Sequence, residues 1–301
     1  YNGSGLVDGG SAGLVNDVSL SFNDTSVTAG VGDSANSTDY CIKTPASLSK
    51  TYFAVLQKEA WTGKLSIAVN NSSQTSYHAG AQPINNSMSY FIGSNSDVYS
   101  GKTSPFFNGY IANVLVYNRI LNTAEKIILE NYLSAKYGLP LFQNDLYKWD
   151  EPVAGNYDFE LIGIGKAADG SQLRAKGEGV VEINSNEMKN GDFVFVGHNG
   201  FPLTASADGL PEGIKYKLDR KWIVAKSGLA QKIDIIIDPK EIPVLDNQDI
   251  ALLIDTDNNG SFVNETVGKG IIPTAELSNS GRLVFRGMEL KHGSTFTFAK
   301  L

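Results

Sequence analysis

The sequence predicts an all-β protein built as two β-sandwich domains, with one α-helix near residues 123–137. Short runs of β-branched and aromatic residues recur along its 301 positions, each closed by Gly, Asn or Ser. Charged residues make up only 19%, the balance of strands joined by many polar turns rather than of helices. Helical period occurs in one stretch alone, and the length suits two cores of ordinary size.

That stretch is FFNGYIANVLVYNRILNTAEKIILENYLSAKYGLPL, Phe106 to Leu141. Tyr110 to Tyr117 are almost all aromatic, β-branched or aliphatic, which predicts a strand covered on both faces. The period then changes. Asn122 can cap a helix with Glu125 reaching back from three residues on, and Thr123 is a competing cap. Ile128, Leu129, Tyr132 and Leu133 form the expected apolar stripe. Gly138 and Pro140 end the helix, since glycine tolerates a left-handed terminus and proline cannot continue.

Ahead of this stretch the runs VSLSF, YCI, TYFAVLQ, KLSIAV, TSYHAG and SYFIGS read as strands, with a hairpin turn at Asn70-Asn71. Residues Tyr1 to Ser19 read as an arm or a weak edge strand. After Pro140 a polar segment reads as a linker. A second series follows: LIGIGK, GVVEI, GDFVFVGHNG, YKLDRKWIVAK, QKIDIIID, DIALLID, GRLVFRG and STFTFAK. In the last of these, Phe296 and Phe298 alternate onto one face, and Trp222 reads as core.

The run F-x-G-x-I-A-x-V-x-V-Y-N-R-x-L, then A-E and E-N-Y-L-x-x-K-Y-G-L, resembles the end of the laminin-G-like, concanavalin-A-type jelly-roll domains of large Bacteroidota surface proteins. The resemblance implies a two-sheet sandwich with a closing helix. Before Tyr52 only about half of the roughly eight strands of such a domain can be read, so the jelly-roll is expected to be partial, or completed by a neighbour's strands. GIGK, FVGHNG, RKWIVAKSG and LLIDTDNNGSF resemble an uncharacterised β-domain that follows the jelly-roll in such proteins. The expected layout is therefore a partial jelly-roll with its helix over 1–141, a linker over 142–157, and a second Ig-like or related sandwich over 158–301.

The formal charge of -7 argues against a nucleic-acid partner, and no apolar run is long enough for membrane insertion by a helix. The single cysteine, Cys41, allows no internal disulfide and reads as a buried small hydrophobe. The chain looks like a mature or excised piece, and the resemblance implies a secreted or cell-surface location.

Asp255-Thr256-Asp257-Asn258-Asn259-Gly260 spaces oxygen ligands as the first half of a calcium loop does. The ligand set for Ca2+ would be Asp255, Asp257, Asn259 and Glu265; a plain Asn-Gly turn is the other reading, and both stay open. The three histidines, His78, His198 and His292, have no neighbour at metal-ligand spacing and read as solvated or structural. GGSAG at Gly9 to Gly13 lacks the strand and helix of a nucleophile elbow. Asp158 and Glu160 alternate without a third acid, so no paired-carboxylate hydrolase is expected and the chain reads as a non-enzyme.

Carbohydrate binding asks instead for aromatic platforms beside hydrogen-bonding groups, which Trp61, Tyr77, His78, Tyr90 and Tyr99 could supply in the first domain. The expected function is non-catalytic adhesion or carbohydrate binding, with a glycan or surface polymer as partner. The alternatives are a filament subunit joined by strand complementation to copies of itself or to other domains of one large protein, and a glycan-active hydrolase or lyase.

Overall fold

A computed structural model describes residues 4–9, 18–23, 25–32, 39–72, 75–78, 89–95, 106–229, 232–245, 249–273 and 276–301. The GGSAG turn lies largely outside them. The structure is all-β with a single α-helix among the described residues, and it divides into two compact units: Tyr1–Ile120 with Leu141–Gln143, and Leu121–Pro140 with Asn144–Leu301.

The first unit contains β1 (Ser4–Gly9), β2 (Val18–Asn23), β3 (Ser26–Gly32), β4 (Asp39–Pro45), β5 (Ala54–Lys58), β6 (Lys64–Val69), β7 (Thr75–His78) and β8 (Tyr90–Ile92). One sheet runs β4-β3-β2-β1-β8 and the other β5-β6-β7. Val27, Ala29 and Val31 of β3 and Ile42 of β4 pack with Leu65, Ile67 and Val69 of β6, giving a two-layer core. The β6–β7 turn is made by Asn70 and Asn71, at φ 48° and 56°, a conformation asparagine tolerates better than most residues. Asn70 also locks β5, because its Oδ1 accepts from the Phe53 amide at 2.9 Å.

The structure departs from the sequence reading here in three places. Residues Ser4–Gly9 are no edge: β1 lies between β2 and β8. Cys41 is exposed, because Ile42 and Thr44 take the inward positions of β4 and the pleat turns Cys41 outward. The expected strand over 110–117 belongs to no sheet among the described residues and is largely exposed, Tyr110 completely and Val116 at 61%. Strand propensity is realised only where a neighbouring edge supplies hydrogen bonds.

The second unit opens with α1 (Thr123–Tyr137) and continues with β9 (Phe159–Ala167), β10 (Gly170–Gln172), β11 (Arg174–Lys176), β12 (Val181–Asn184), β13 (Phe193–His198), β14 (Ala205–Ser206), β15 (Tyr216–Leu218), β16 (Trp222–Ser227), β17 (Ile233–Ile237), β18 (Ile250–Ile254), β19 (Ile271–Ile272), β20 (Glu276–Leu277), β21 (Leu283–Met288) and β22 (Thr295–Lys300). The larger sheet runs β10-β9-β13-β16-β22-β15-β14, with β18 pairing both β22 and β19. The smaller runs β11-β12-β17-β21-β20. Between them lie Ile164, Val194, Val224, Leu252 and Phe298 from one sheet and Ile183, Ile235 and Phe285 from the other. Trp222 is in this core, stacked 5.7 Å from Phe296.

The outer face of the larger sheet is covered as well. Ala124, Ile127 and Ala135 of α1 pack with Leu161, Phe193, Phe195 and Ala225, while Phe262 packs with Ala251, Leu253 and Ala299. Burial on both faces explains why β13, β18 and β22 are continuously buried rather than alternating.

The helix forms as its ends dictate. Asn122 Oδ1 accepts from the Glu125 amide at 2.9 Å, Glu125 Oε2 accepts from the Asn122 amide at 3.0 Å, and Gly138 closes the helix at φ 61°. Thr123 is not the cap; its amide and hydroxyl donate to Asp169. The buried face is centred on Ala124, Ile127, Asn131 and Ala135, rotated from the stripe read in the sequence. Asn131 causes the rotation. Its Oδ1 accepts from the amides of Leu146 and Tyr147, and its Nδ2 donates to the Asn144 carbonyl at 2.8 Å.

Two expected boundaries therefore move. The helix packs on the second unit's sheet rather than closing the first domain, and residues 144–157 are part of that unit rather than a linker. Tyr147 is 1% exposed and its hydroxyl donates to the Tyr157 carbonyl at 2.6 Å.

Candidate functional site

The acidic loop follows β18. Asp255 is 1% exposed, and its carboxylate accepts from the amides of Asn259 at 3.2 Å and Gly260 at 2.8 Å. Asn258 and Gly260 take positive φ, 58° and 82°, which turns those amides inward. Glu265, 3% exposed, accepts from the Thr256 amide at 2.7 Å and from its hydroxyl. Asp257, at the surface, accepts from the side-chain amides of Asn259 at 3.0 Å and Asn264 at 2.7 Å. The Asn264 hydrogen bond is the main cause holding the Asp257 carboxyl below its ordinary range. Phe262 anchors the loop, 1% exposed, with the Lys221 ammonium 5.1 Å from its ring centre.

Carboxylate oxygens of Asp255, Asp257 and Glu265 lie within 4.8 Å of one another, a hard-oxygen set that could hold a cation such as Ca2+. The same oxygens are already engaged by amides and a hydroxyl. Asn259 turns its Nδ2, not its carbonyl, to Asp257, and its Oδ1 accepts from the Ser261 amide at 2.7 Å. Lys291 and Lys221 donate to the carbonyls of Thr256 and Gly260, bringing positive charge to the loop. Cation binding would have to displace those donors.

Of the aromatic candidates, Trp61 is 94% exposed in the turn between β5 and β6. Exposed His78 shares that end of the sheet, with Nδ1 3.3 Å from the Thr62 carbonyl and Lys64 opposite it in the ladder. Tyr90, half exposed, stands on β8 in the other sheet, so the three described candidates are split between the two sheets. Tyr99 and the side chain of Tyr77 lie outside the described residues. A shallow depression of about 380 Å³ is lined by Thr25, Pro45, Ala46, Ser47, Leu48 and Tyr52, and holds no carboxylate.

A cluster around one buried histidine in the second unit was missed from the sequence. His198, read as having no acidic partner, is 2% exposed with Nε2 2.9 Å from Glu160 Oε2, and Arg220 Nη1 lies 3.5 Å from that same oxygen. The Gly200 amide donates to His198 Nδ1 at 2.9 Å. Burial first, and then Arg220, pushes the imidazole below its ordinary value, against Glu160 and Asp158, which raise it. The GHNG turn was the available signal, but Glu160 is remote in sequence.

These features define an all-β sandwich unit, carrying an outer helix and a self-capped acidic loop. Residues 125–293 match the family described as Domain of unknown function (DUF8202), and the chain belongs to it. The match begins inside α1, in keeping with the helix being part of the second unit. No curated protein and no solved structure matches the chain.

Proposed function

We propose that the chain is a non-catalytic adhesion or carbohydrate-binding module of a secreted or cell-surface bacterial protein, laminin-G-like in its first unit. The supporting observation is Trp61, an indole 94% exposed on a hairpin tip. An open aromatic face stacks on the C–H face of a pyranose, while His78 and the Thr62–Glu59 pair at the same turn can read hydroxyls. The partner is a glycan or surface polymer. The test is a glycan array with and without calcium, since the Asp255 loop has oxygen donors that could take one. Trp61→Ala is expected to weaken any positive signal by about tenfold or more, roughly 1.4 kcal/mol. Absence of binding under both conditions defeats the reading.

Residues 110–117 favour a second reading, a structural subunit of a filament joined by strand complementation. Their exposed Tyr110, Leu115, Val116 and Tyr117 form a strand-like sequence without a sheet among the described residues. Light scattering is expected to show concentration-dependent assembly, abolished by Val116→Lys because a charge on a pairing strand blocks edge-to-edge association. A monomer at all concentrations rejects this reading.

A further inference from the structure

We propose that His198 is an acid-sensitive latch on the turn between β13 and the segment leading to β14, and that its protonation opens residues 198–201. His198 closes β13 in the larger sheet, opposite Phe159 of β9 and Trp222 of β16. Its two ring nitrogens have different duties. Nδ1 accepts the Gly200 amide, so it must keep its lone pair, and the ring proton sits on Nε2, facing Glu160. A second proton can only be placed on Nδ1, where it points at the Gly200 N–H. The imidazolium therefore loses the turn's hydrogen bond.

The surroundings tie several elements to that bond. Phe159 stacks on the imidazole at 5.7 Å and Trp222 meets it edge-on at 6.1 Å. Glu160 is held at φ 49°, a strained conformation for a non-glycine residue, beside the register shift where β9 meets β13. Arg220 Nε donates to the Phe201 carbonyl at 2.6 Å, and Asn199 Oδ1 accepts from the Lys221 amide at 3.2 Å. The charged groups facing His198 are Glu160 of β9, Asp158 just before that strand, and Arg220 ahead of β16. Losing the Gly200 bond frees the turn, while the Nε2 contact with Glu160 stays in place.

The direction with pH follows from linkage. The folded state holds the imidazole below its ordinary value, so the unfolded or opened state takes up the proton first. The latch's contribution is complete above the ordinary histidine value and is lost as pH falls from there through the depressed folded value.

Amide hydrogen exchange on the full chain tests this, with the Val224 amide, bonded to the Ser294 carbonyl, as an internal core reference. Gly200 protection is expected to fall by about tenfold or more between about pH 7 and about pH 5 while Val224 is unchanged. His198→Asn keeps an acceptor for Gly200 and cannot titrate, so its protection is expected to stay level. Should that variant not fold, Glu160→Gln decides: it removes a charge that favours protonation, and the midpoint of opening is expected at lower pH. Level protection in the unaltered chain, an equal fall in His198→Asn, or an unmoved midpoint in Glu160→Gln overturns the proposal.

Discussion

Asp255 holds two backbone amides of its own loop from a nearly dry position, so its charge matters more than its size. Asp255→Asn keeps the volume and loses a charged acceptor, at a cost of roughly 1.5–3 kcal/mol. Differential scanning calorimetry is expected to show a Tm several degrees lower. Because donors already saturate the loop, a chelator is expected to shift Tm by no more than about 1 °C; a large chelator effect would identify calcium as structural. The loop's position was legible from its Asp, Asn and Gly spacing. Its internal hydrogen bonding was not, because the choice between amide and cation is made by side-chain orientation. Asn131 shows the same limit, since a polar residue on a helix looks solvent-facing until the segment it binds, residues 144–147, is placed.

At the scale of elements, α1 was readable almost to the residue because its signals are local: a capping box, a helical run and a left-handed glycine. Gly138→Ala tests the last of these. A Cβ there meets nothing within 4 Å, so the cost is conformational alone, about 1 kcal/mol, read as a lower midpoint in urea. The helix also buries Glu130, 2% exposed, whose carboxyl desolvation pushes up to about 7, opposed by Lys126 at 3.7 Å. A carboxyl raised in the folded state contributes fully below its unfolded value and loses that contribution as pH rises through about 7. Glu130→Gln is therefore expected to raise Tm at about pH 8 and to leave it little changed near pH 4. Equal effects at both pH values would show that burial does not perturb this carboxyl.

On the scale of the whole molecule, assigning α1 to the second unit has a direct consequence. A fragment of residues 121–301 is expected to melt cooperatively, whereas one of residues 158–301 exposes Leu161, Phe193 and Phe195 and is expected to aggregate or lose its sharp transition. Equal behaviour of the two fragments would return the helix to the first unit. The sequence misplaces this boundary because the helix is contiguous with the preceding apolar run, and contiguity along the chain does not dictate which sheet a helix covers.

The sequence alone determined what depends on near neighbours: the all-β class, most strand segments, the Asn70-Asn71 turn, the capped helix and the acidic loop. Tertiary structure decided which sheet the helix covers, that residues 110–117 enter no ladder among those described, and that His198 meets Glu160. The reason is physical. Turns, caps and periodicity are set by backbone sterics within a few residues, whereas sheet partners and buried polar pairs bring together groups distant along the chain.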